Sequence, residues 1–169
     1  MIVKDEEKDI ERCLKSVYKY IDYWVIIDTG STDKTVKKIK SLMKNRFKVP
    51  GEIHERPWVD FSHNRNESLE IAETKGDYVM FMDADDIFTP EKSFSMDFLS
   101  DKYQAYYSYF RLDSNKFKRC LIVDSSTGWR YKGVMHEHIV IPKNSNQAMI
   151  PNLFIEANAS PLKRFATEE

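Results

Sequence analysis

Cysteine is scarce in this chain, with only Cys13 and Cys120 among 169 residues, far apart and without metal-ligand spacing. That speaks against a disulfide framework and a structural zinc site. Both are expected as free thiols in a reducing compartment, which points to the cytoplasm. Long apolar runs are missing too. Nothing approaches the ~18 consecutive apolar residues of a membrane span, and "MIVKDEEKDI" turns charged too early to be a secretory signal. An excess of either charge is also lacking: 26 basic side chains stand against 27 acidic ones, for a net charge of −1. A broad basic surface for nucleic acid is therefore not indicated, and at most a local patch remains. What is present, 41% hydrophobic and 31% charged residues, suits one globular domain with a real core.

Along the chain, Ile10, Cys13, Leu14, Val17 and Ile21 recur at the spacing of one helix face. "WVIID" reads as a buried strand ending in Asp28. "TGSTDKT" then supplies a bend at Gly30 and an N-cap at Ser31 or Thr32. Val36, Ile39 and Met43 mark the next helix, and "GEIHERPW" a short strand. A third helix is expected from Ser62 to Gly76, then a strand over 77–82, then a helix capped by Thr89 with Pro90 at its first position. Strand and helix alternate in this half, the pattern of a parallel sheet covered on both faces. The second half changes character: "QAYYSYFRL", "FKRCLIV", "WRYKG" and "VMHEHIVI" predict aromatic antiparallel hairpins.

In an open α/β sheet, ligands bind beyond the carboxyl ends of the strands. Two buried-type strands end there in acids, "WVIID" at Asp28 and "YVMFMD" at Asp83, the latter followed closely by Asp85 and Asp86. Carboxylates this close repel unless a cation or hydrogen-bond donors compensate them. An all-oxygen set suits Mg2+ or Mn2+, with positions left for substrate phosphate oxygens. The bland alternative is a solvated loop, which Asp86 fits best.

The blocks "MIVKDEEKDIERCLKSV", "VIIDTGSTDKT", "WVDFSHNRNESLEIA", "GDYVMFMDADD" and "YKGVMHEHI", in this order, resemble family 2 glycosyltransferases across roughly residues 1–140. The resemblance implies a GT-A-type, Rossmann-like α/β three-layer sandwich, mostly parallel, with antiparallel hairpins in the C-terminal half. The transferase domain is then expected over 1–142, with 143–169 an extension of unassigned structure. It implies transfer of a sugar, usually from a UDP-linked donor, with inversion and with Mn2+ or Mg2+. Asp28 matches the acid that holds the nucleotide. Lys4 and Glu6 match the loop beside the nucleoside, where Asp5 replaces the commoner Asn. Arg65 and Asn66 match a pair near the donor. Asp83 and Asp85 match the D-x-D, the second acid as direct metal ligand and the first also facing the ribose.

The "HE" pair completes the set. Inversion needs a general base on the acceptor hydroxyl, and the metal acts as Lewis acid on the leaving diphosphate. The resemblance implies Glu137 as base and His136 as a further metal contact. On a regular strand, however, His136 and His138 share one face and Glu137 the other. His138 is thus a rival ligand, and Asp124 a distant second choice of base. Trp58 and Phe61 are read as core or rim packing. The acceptor is unidentified. The chain is shorter than a full domain of the family, which implies a compact transferase or one domain of a larger protein. The main rival is a truncated or inactive domain that binds UDP and metal without transfer. A dehalogenase-type phosphohydrolase would want Thr or Val where Ile87 stands, and a sugar nucleotidyltransferase needs a Gly-rich N-terminal loop that is absent.

Overall fold

A computed structural model describes residues 1–133, 138–140 and 142–157. Three strands, β1 (Ile2–Val3), β2 (Trp24–Asp28) and β3 (Gly51–Glu55), form a parallel sheet with β2 in the middle. All five residues of β2 are buried, because helices cover both faces. On one side α1 (Ile10–Val17) and α2 (Thr35–Lys40) bring Ile10, Leu14 and Ile39 onto Val3, Trp24 and Ile26. On the other lies α3 (Phe61–Ala72). Gly51 sits directly beside the Trp24 indole, so any side chain there would collide with the ring.

A five-stranded mixed sheet follows, in the order β4 (Tyr78–Met80), β7 (Asn115–Asp124), β6 (Ala105–Leu112), β10 (Gln147–Glu156) and β5 (Ile87–Pro90). Among the described residues its one parallel pairing is that of β6 with β10. A short antiparallel pair, β8 (Arg130–Lys132) and β9 (His138–Val140), completes the chain's strands as described. The architecture is mixed α/β, as expected. Both cysteines are free and buried. Burial drives the Cys13 thiol far above its ordinary range and the Cys120 thiol to about 12. Among the described residues no helix is long and apolar enough to cross a membrane.

The local structure departs from the expectations, or completes them, at several points. The helix expected after Thr89 is the edge strand β5, paired antiparallel with Leu153–Glu156. Pro90 is tolerated because an edge strand leaves one side unpaired, and Phe88 is buried in the core. Neither Ser31 nor Thr32 caps α2. That helix begins at Thr35, whose amide and hydroxyl both donate to Asp33 Oδ1 at 2.9 and 2.5 Å. Finally, residues 147–156 of the unassigned C-terminal stretch form β10, a strand inside the second sheet.

Candidate functional site

Asp28 ends β2 with only 3% of its surface exposed. Its Oδ2 accepts the amides of Gly30 and Ser31 at 3.2 and 3.1 Å, which closes the turn after the strand. Gly30 makes this turn at φ +102°, a conformation that other residues rarely adopt. Asp28 Oδ1 is buried and has no hydrogen-bond partner among the described residues. Asp28 is one of the residues around a cavity of about 460 Å3, with Gly30, Ser31, Glu55, Arg56 and Pro57. The parallel register sets Glu55 opposite Asp28, and the Arg56 amide donates to the Asp28 carbonyl at 2.9 Å. The "KDEE" loop braces this turn from the side. Asp5, at φ 52°, accepts the Thr32 amide at 2.7 Å, and the Glu6 amide donates to Thr35 Oγ1 at 2.8 Å. Asp in place of Asn at position 5 thus has a structural use. Lys4 is exposed.

The acids after β4 are balanced differently. Asp83 Oδ1 meets Arg65 Nη2 at 2.8 Å and Asp83 Oδ2 meets Arg119 Nη1 at 3.0 Å. Burial alone would raise the Asp83 pKa, but the two guanidiniums outweigh it and hold the carboxyl at about 2. The turn is pinned from below: Cys13 Sγ donates to the Asp83 carbonyl at 3.3 Å, and Ala84 packs into the cluster of Val3 and Ile10. That packing ties the turn that carries the acids to the first sheet, where Val3 pairs with Asp28. Asp85 and Asp86 are 5% and 3% exposed. Asp86 is therefore not the solvated loop residue expected. Burial, with the charges of Asp83 and Asp85, raises its pKa to about 7. No group of three His, Cys, Asp or Glu among the described residues is placed to hold a metal ion.

Helix α3 delivers Arg65 to the acids and fixes β8 beside them. The Arg65 guanidinium lies 5.5 Å from the centre of the Tyr131 ring. Asn66 holds the Tyr131 backbone at both ends, accepting its amide at 2.8 Å and donating to its carbonyl at 3.0 Å. Asn66 is thus a fastener of β8 in this structure. Beyond β8, His136 and Glu137 lie outside the described residues. His138 is exposed on β9, where it pairs with Lys132. Asp124 is not placed to act as a base. It pairs with Tyr78 at the far end of β4, five residues or roughly 17 Å from Asp83, and it caps a short helix through Ser126. Trp58 and Phe61 are both 45% exposed and meet edge-to-face, so they form a rim rather than core.

Sequence reasoning missed Arg119. The β4–β7 ladder pairs Met80 with Ile122, the Phe81 amide continues it to the Leu121 carbonyl, and two residues further along each segment stand Asp83 and Arg119, joined by their ion pair. That match exists only once the strands are paired, so no local motif announces it.

Similarity to known proteins agrees with this geometry. The profile of "Glycosyl transferase family 2" matches residues 1–126, and the chain belongs to that family. It is 27% identical to the SPbeta prophage-derived glycosyltransferase SunS of Bacillus subtilis (strain 168), over 92% of this chain and 36% of SunS. It is 29% identical to an uncharacterized glycosyltransferase of Rickettsia bellii (strain RML369-C), over 63% of this chain and 35% of that protein. The crystal structure of S. aureus TarS 1–349 in complex with UDP shares the fold at a TM-score of 0.52 and 21% identity. That likeness covers 68% of this chain and 35% of TarS. The chain thus spans about a third of the length of these relatives.

Proposed function

We propose that this chain binds a nucleotide-sugar, UDP-linked, and passes the sugar with inversion to an acceptor hydroxyl, assisted by Mn2+ or Mg2+. One observation carries the nucleotide part: the buried, unpartnered Oδ1 of Asp28 beside an open cavity. A buried acceptor without a donor is costly, and the N3–H of uracil is a donor of the right kind. Cytosine presents an acceptor at that position and would be repelled. A TarS structure in complex with UDP-GlcNAc, alike in fold, supports this choice of probe.

For the cation, the chemistry of the donor set fits a hard ion. Such ions are commonly held by one or two carboxylates plus phosphate oxygens, so three converging protein ligands are not required. In this reading Asp85 holds the ion, which when bound would supply Lewis-acid stabilisation of the departing diphosphate. Glu137 takes the acceptor proton, and His136 adds a contact beside it.

Calorimetric titration tests the reading. UDP is expected to bind at least ~10-fold tighter with Mn2+ than with excess chelator, and at least ~10-fold tighter than CDP, the range of a hydrogen bond to a charged group. Equal affinities for UDP and CDP would remove the role given to Asp28. A second reading is a unit that binds donor without transferring it. Release of sugar from UDP-GlcNAc in Mn2+ separates the two.

A further inference from the structure

We infer that Arg119 is a positioning residue of the donor site. Together with Arg65 it engages both oxygens of Asp83, so Asp83 braces the turn and leaves cation binding to Asp85. This rests on the donor-site reading above.

The argument is geometric. A carboxylate offers two oxygens, and each oxygen of Asp83 already faces a guanidinium from a different element, Arg65 from α3 at 2.8 Å and Arg119 from β7 at 3.0 Å. A cation at Asp83 would sit beside both positive charges. Asp85, two residues on, is buried at the same turn. Arg119 is set in place by the fold. From β7 its guanidinium reaches Asp83, and it lies 5.2 Å from the centre of the Phe110 ring. Immediately beyond it the β6–β7 pairing shifts, with Tyr106 opposite Ile122 but Tyr107 opposite Cys120, so Leu121 is the extra residue of a bulge. Bulges of this kind re-aim side chains next to active sites.

The distinguishing consequence is a pair of effects with opposite sign. Removing the Arg119 charge strips a partner from Asp83 and makes the turn more negative. Mn2+ alone should then bind more tightly, while UDP, an anion facing a less positive and less fixed site, should bind more weakly. A residue that only supported the fold would weaken both.

The test compares wild type, Arg119→Gln and Arg119→Lys. Mn2+ binding is read from the electron paramagnetic resonance of free Mn2+, and UDP binding by calorimetry in saturating Mn2+. The expected result is Mn2+ affinity raised at least ~3-fold in Arg119→Gln and UDP affinity lowered ~10-fold, both returning toward wild type in Arg119→Lys. Mn2+ affinity that is unchanged, weakened or absent in Arg119→Gln overturns the inference. Should that variant not fold, Asp83→Asn and Asp85→Asn decide. Mn2+ affinity should fall less than ~3-fold in the first and more than ~10-fold in the second, and equal losses overturn it. Failure of wild-type UDP binding would instead remove the donor-site reading, with the Mn2+ measurements still standing.

Discussion

Asp28 closes β2 in the first sheet and Asp83 follows β4 of the second, and their charges are met in different ways. Asp28 is held by two backbone amides on one oxygen, and its other oxygen lacks a partner. Asp83 has a guanidinium on each oxygen. The first keeps a buried oxygen with no partner among the described residues, and each oxygen of the second meets a guanidinium. A strand-end acid therefore does not identify itself as a ligand contact by its place in the fold. What remains unpaired after folding decides its use.

The largest expected effect tests whether the chemistry lies in a third acid. Glu137→Gln should cut sugar transfer at least ~100-fold, the low end for loss of a general base, while the UDP dissociation constant stays within twofold. A variant with wild-type turnover would move the base elsewhere. Next comes the open oxygen of Asp28. Asp28→Asn keeps an oxygen for the Gly30 and Ser31 amides but turns an N–H toward the cavity. UDP affinity should fall about 10- to 100-fold and CDP should gain in parallel; calorimetry against both nucleotides checks the exchange. Arg65→Ala then attacks the closed carboxylate from one side. Breaking a buried pair costs about 3–5 kcal/mol when it strands the partner, but Arg119 remains, so about 1–3 kcal/mol is expected. At about 2–4 °C per kcal/mol for a chain of this size, calorimetric Tm should drop by several degrees.

The smallest effect concerns Asp86, buried beside Asp83 and Asp85. Its pKa is raised to about 7 in the folded chain, against 3.8 ordinarily. Between those values the folded state binds more protons than the unfolded state, so this group's stabilising contribution is full below about pH 4 and lost as pH rises through 7. Asp86→Asn should raise Tm by a few degrees at pH 8 without metal and flatten that decline. An identical pH profile in wild type and variant would show that Asp86 titrates normally.

Much of the parallel half was legible because its signals are local. The stripe Ile10, Cys13, Leu14, Val17 is buried as its spacing predicts, and "WVIID" is a fully buried strand. The second half was less legible, for a physical reason. Thr89–Pro90 carries good helix-start chemistry, but pairing with Leu153–Glu156, more than sixty residues away, overrides it. The same long-range pairing hides β10 and the partnership of Arg119 with Asp83. Asn66 shows the converse: a residue singled out by motif, whose amide is engaged by the Tyr131 backbone.

The sealed thiols have a practical consequence. Cys13 and Cys120 are shut inside the protein with their ionised forms suppressed, and thiolates, not thiols, react with labelling reagents. A cysteine introduced at an exposed rim position such as Trp58 would then be the one group such reagents modify. A fluorophore attached there could report events at the cavity mouth without first stripping the protein of its own sulfur.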